Sequence, residues 1–136
     1  MHSLAFEVLH HYDLRESGII IPVQVRHGGQ AVNVSAKVDT GADNCIFTRE
    51  CGERLGLDIE AGLPQYFGTA TRRFLCYGHE VTLNVLGLET VSTAYFAAEE
   101  HLRRNFLGRT GWLDRVALGL VDYEGKMSLS LQWPGL

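Results

Sequence analysis

The stretch Val32-Asn33-Val34-Ser35-Ala36-Lys37-Val38-Asp39-Thr40-Gly41-Ala42-Asp43 decides how this chain folds. Apolar residues at 32, 34, 36 and 38 alternate with others, the period of a strand with one face buried. The same period runs through Ile19, Ile21, Val23 and Val25, and His27-Gly28-Gly29-Gln30 separates the two runs, so together they read as a β-hairpin. Its second strand carries a carboxylate, Asp39, out of the core and into a turn. Gly41 permits a tight turn and close approach of a ligand to the backbone. Thr40 offers a hydroxyl for a local or interfacial hydrogen bond, and the small Ala42 leaves room beside the carboxylate. These properties suit a catalytic loop.

An Asp-Thr-Gly tripeptide also fits an ordinary turn: at average residue frequencies it arises in roughly 3% of chains of this length. The longer pattern, a hydrophobic hairpin strand running into Val38-Asp39-Thr40-Gly41-Ala42-Asp43, is much rarer. Working outward, Thr48 is positioned to cap a short helix that closes on a glycine, with Gly52 weakening the pattern. Residues 58–64 read as a loop, residues 65–69 and 73–86 as strands joined by a hairpin, and residues 91–97 as another strand. Thr110 is read as the cap of a second short helix over residues 111–115. Residues 116–121 and 126–131 alternate around Asp122-Tyr123-Glu124-Gly125, a hairpin signal. Many short strands with one or two small helices predict a mostly β domain.

The chain has 136 residues, of which 46% are hydrophobic, enough for one domain with a core that needs neither disulfide nor metal. The formal charge of -4 lacks the basic excess of a nucleic-acid or anionic-membrane binder, and Arg72-Arg73 and Arg103-Arg104 are isolated pairs. Arg72-Arg73 reads more readily as a solvated pair than as a specificity device. Three cysteines, Cys45, Cys51 and Cys76, follow no zinc spacing, and the six histidines are scattered, so neither a metal nor another cofactor is expected. The thiols read as reduced and the protein as soluble and cytoplasmic, with no apolar run near the ~20 residues that span a bilayer. Cys45 is a nucleophile only if a histidine joins it; a small buried residue is the simpler reading for Cys45 and Cys51.

A second motif, Phe106-Leu107-Gly108-Arg109, precedes the second short helix. With both motifs in this order, the chain resembles the retropepsins, the single-domain aspartic peptidases that include retroviral proteases and bacterial relatives. The resemblance implies a mostly β, closed barrel-like domain over residues 19–136 that works as a homodimer, with residues 1–18 as an N-terminal extension and possible added strand. It implies that Asp39 is the catalytic aspartate, that Thr40 locks the active loops of two subunits together, and that Gly41 contacts substrate. Ala42, Asp43 and Asn44 complete the active-site loop and substrate-binding set. Asp43 would be held by Arg109 of the second motif, which with Gly108 supports the loop. The family's flap falls at residues 65–75, with Gly68, Thr69, Ala70 and Thr71 near its tip.

Aspartic peptidases activate water between two carboxylates that share a proton. This chain carries Asp-Thr-Gly once, so a twofold homodimer must bring Asp39 beside its copy. The family's interleaved termini point to residues 129–133 as the interface. A serine in place of Ala42 would favour the charged dyad, so alanine implies a mildly acidic to near-neutral optimum. The expected activity is endopeptidase cleavage of a peptide or protein; the competing reading is a catalytically inactive dimeric peptide-binding domain of the same fold.

Overall fold

The computed structural model describes residues 1–68 and 70–131. Ten strands follow in chain order: β1 (Val8–His11), β2 (Ile20–His27), β3 (Gln30–Val38), β4 (Ile46–Phe47), β5 (Leu63–Gly68), β6 (Arg73–Val85), β7 (Leu88–Ala97), β8 (Asn105–Leu107), β9 (Val116–Val121) and β10 (Lys126–Leu131). Seven form one sheet in the order β2-β3-β8-β4-β7-β6-β5, and an extra β2–β6 pairing curls it into a barrel-like layer. The first hairpin forms as its alternation predicts. Ile21, Val23 and Val25 of β2 and Val32, Ala36 and Val38 of β3 are buried in the main core with Leu83, Phe96, Leu107 and Trp112.

Helix α1 (Arg49–Arg54) follows β4, and the Thr48 hydroxyl caps it by accepting the Cys51 amide at 3.2 Å. Gly52, unfavourable for a helix in isolation, is explained by packing. A Cβ there would lie 2.9 Å from Ile59 and 3.1 Å from Phe96, so glycine lets the helix lie directly on the core. The region read as a plain loop before β5 contains a 3-10 turn at Ile59–Ala61.

The remaining strands form a small sheet, β1-β10-β9. β1 pairs with β10 from Val8↔Leu129 to His11↔Lys126. Just beyond it, the buried Tyr12 donates its hydroxyl to Asp122 at 2.5 Å, pinning the N-terminal segment to the turn between β9 and β10. Burial, then the Asp122 carboxylate, pushes the Tyr12 phenol up to about 12.

The small sheet contains the strand expected at the interface. β10 is the central strand, paired on both sides, and Leu129 is fully buried in the core of its own chain. Residues 132 and 133, the rest of that expected interface, lie outside the described residues. The second short helix is also shorter than its pattern implies. It is a 3-10 turn at Leu113–Arg115 following Trp112, and Thr110 does not cap it; the Asp114 carboxylate accepts the Gly111 amide instead, at 3.0 Å.

Candidate active site

Asp39 follows the last residue of β3, half-buried. Its own amide donates to the Leu107 carbonyl of β8 at 3.0 Å, so the β3–β8 pairing extends into the turn. The carboxylate Oδ1 accepts the Gly41 amide at 2.9 Å, and the Asp39 carbonyl accepts the Ala42 amide at 3.2 Å. These bonds orient the side chain from both its ends. Thr40 is exposed, and its hydroxyl makes no hydrogen bond among the described residues.

The residues after β8 form the floor of this turn. A Cβ at Gly108 would fall 2.2 Å from the Asn44 carbonyl oxygen and 2.7 Å from that of Ala42, a space only glycine fits. The Arg109 amide donates to the Ala42 carbonyl at 2.9 Å and the Thr110 amide to the Asp43 carbonyl at 2.8 Å, with a parallel bridge between Asn44 and Thr110. The two motifs, about seventy residues apart, are thus joined through backbone. The Asp43 and Arg109 side chains are both exposed, and no ion pair within 4.0 Å links them among the described residues. An exposed pair has little to gain from holding one geometry, whereas buried amides and carbonyls must be matched.

Cys45 sits beneath the loop, fully buried, its thiol directed at the Thr110 carbonyl at 3.9 Å. Burial pushes that thiol up to about 11, which leaves little thiolate for a nucleophile at neutral pH. Burial likewise raises Cys51 to about 11 and Cys76 to about 12. Among the described residues, no three His, Cys, Asp or Glu side chains gather to hold a metal ion, and no helix is long and apolar enough to cross a membrane.

β5 and β6 make a hairpin in register from Leu63↔Gly78 to Gly68↔Arg73. Ala70 and Thr71 are exposed in its turn; Thr69 lies outside the described residues. Phe67 and Phe74 anchor the hairpin to a second apolar cluster built on Ile46, Cys76 and Ala97, with Tyr95 and Leu102 packed against it. Sequence reasoning named Leu107 within the second motif but missed that its carbonyl holds Asp39, and it missed Trp112, whose burial fixes the segment under the loop. Only the apolar character of these two positions signalled them.

The site is thus a carboxylate on a backbone-locked turn above a glycine-floored support. The chain belongs to the aspartyl protease family, whose model matches residues 23–110, from within β2 through the segment under the loop. It is retropepsin-like. No curated protein sequence matches it. Among solved structures it is similar to the EIAV protease complexed with the inhibitor HBY-793, at TM-score 0.54 and 20% identity, over 69% of this chain and 84% of that chain. That likeness is one of fold. β1, β9 and β10 lie outside the matched interval.

Proposed function

We propose that the chain is an active aspartic endopeptidase whose catalytic dyad is two copies of Asp39, one from each subunit of a homodimer. The observation that carries this reading is the Asp39 carboxylate itself: half-exposed, held at Oδ1 by the Gly41 amide, and lacking a second Asp-Thr-Gly within the chain. Two such carboxylates across a twofold axis share one proton, because like charges so close resist ionising together. The charged member takes a proton from the bound water as that water attacks the peptide carbonyl. The neutral member protonates the carbonyl oxygen; as the amine leaves, the member that took the water's proton gives it to the nitrogen, and the other recovers a proton from the diol. Thr40, exposed at the loop's end, is placed to bond the opposite loop, and Gly41 offers its backbone to substrate. Asp43 and Asn44 extend the loop along the same line, and the hairpin carrying Gly68, Ala70 and Thr71 acts as the flap.

The free edge of the small sheet supplies the dimer contact in this reading. Among the described residues β9 pairs only with β10, and the chain reaches it from the segment beneath Asp39, which supports a partner at β9. Cleavage of a peptide library across pH by the wild type and Asp39→Asn, with molecular mass measured in solution, tests the proposal. Cleavage by a wild-type dimer and none by the variant is expected. Peptides bound by both and cut by neither would point to a binding domain instead.

A further inference from the structure

Val38 and Leu107 are register partners in β3 and β8, and both are buried in the main core. Side chains alternate across a strand, so Lys37, Asp39 and Phe106 project to the opposite face of the same two strands. Phe106 is also the register partner of Ile46, the centre of the second apolar cluster, which places that cluster on the carboxylate's side of the sheet. A groove of about 410 Å³ opens on this side between the flap hairpin and the loop joining β7 to β8. Phe74, Leu102 and Phe106 line it with apolar surface, and Arg72, Arg103, Arg104 and His101 surround that surface.

No acidic residue lines this groove. Arg103 joins no ion pair among the described residues, and Arg104 donates only to the Ser17 carbonyl, at 3.2 Å. Glu99, in the adjoining groove, is paired with the His101 ring at 3.0 Å. In that adjoining groove the Arg73 guanidinium lies 4.7 Å over the Tyr66 ring, keeping its charge on the same side. The protein carries a net charge of -4, so this concentration of cations runs against its overall charge. Guanidinium forks match carboxylates in geometry.

We infer that this groove, on the Asp39 face of the sheet, selects peptides with a carboxylate side chain next to an apolar one, close to the scissile bond; this rests on the peptidase reading above. The apolar side chain lies on Phe74, Leu102 and Phe106, and the carboxylate meets Arg103 and its neighbours. Two arginine pairs that are distant in sequence, at 72–73 and 103–104, thereby act on one substrate.

The test compares matched peptides that differ only in Asp or Glu against Asn or Gln at positions flanking the cleaved bond, at a pH where the acids are ionised. For the wild type, kcat/KM is expected to favour the acidic peptides about tenfold, mainly through KM, with the preference shrinking at high salt. Arg103→Glu should remove or invert that preference, read as the ratio of kcat/KM between the acidic and amide peptides. Equal cleavage of acidic and amide peptides, or an Arg103→Glu variant with its preference unchanged, would overturn the inference. Binding of the same peptides to Asp39→Asn, followed by fluorescence anisotropy, separates this inference from the peptidase reading. An acidic preference in binding sustains the groove's selectivity even if no peptide is cut, and equal affinity ends it.

Discussion

Gly108 lies against the Asn44 carbonyl so closely that a Cβ would sit 2.2 Å from the oxygen, and both partners are backbone-fixed. Gly108→Ala must therefore push the Ala42–Asn44 turn away from its floor. The expected cost is about 3 kcal/mol, with activity lost even where the fold survives. Gly29→Ala is the control, since nothing lies within 4 Å of a Cβ there, and it should change stability by no more than about 0.5 kcal/mol. Thermal melts of both variants check the pair, and equal melting temperatures would remove the floor's assigned role.

The contrast between those glycines shows what was legible in sequence. The β2–β3 hairpin and the Asp39 turn were readable because alternation and the turn glycine are local signals. Gly108 was visible as part of a motif, but its close approach to Asn44 depends on β8 lying beside β3, a pairing across about seventy residues. A three-residue strand has too short a period to announce its partners, so Leu107's grip on Asp39 stayed hidden. The terminal strands leave their partner open for a related reason. The alternation that runs through Leu129 identifies a strand with one buried face but not which chain buries it, and β1 from the N-terminal segment had already covered its free edge. Arg103 and Arg104 looked isolated because only the fold brings them to the β5–β6 hairpin.

Ala42→Ser should shift the pH dependence of cleavage. A hydroxyl donating to the dyad stabilises its charged form and lowers the apparent pKa of the pair. The acid limb of the kcat/KM profile is expected to move down by about half a pH unit or more, with the alkaline limb following. A superimposable profile would mean that residue 42 does not reach the carboxylates.

Tyr12 carries a stability prediction of defined sign. Its phenol is raised from 10.0 to about 12 in the fold, so the folded state holds the proton more tightly than the unfolded chain. The stabilisation is complete below pH 10 and is lost as pH rises toward 12. Wild-type unfolding free energy should fall across that window more steeply than that of Tyr12→Phe, as read by urea denaturation at stepped pH. Removing residues 1–16 goes further, because it takes away β1 and uncovers one edge of β10. Lower stability is expected from that truncation, and unchanged stability would make the N-terminal segment dispensable.

The sequence of β9, Val-Ala-Leu-Gly-Leu-Val, contains no charge and no proline, although it forms the edge of its sheet. Exposed edges in monomers are normally blunted by such residues, since unpaired amides and carbonyls recruit other strands. Leu120 is 42% exposed and Val121 39%, apolar surface that a second copy would cover in an isologous contact. Leu120→Lys leaves the single chain able to fold, because the ammonium reaches water, but it places two unpaired charges in the contact. That penalty, about 2–5 kcal/mol per buried unpaired charge, should weaken dimerisation by a hundredfold or more. The expected result is a folded monomer by light scattering and circular dichroism, inactive at concentrations where the wild type is dimeric and active. A Leu120→Lys dimer would move the interface away from β9. A fully active Leu120→Lys monomer would sink the shared dyad itself, because one Asp39 would then be doing chemistry that needs two.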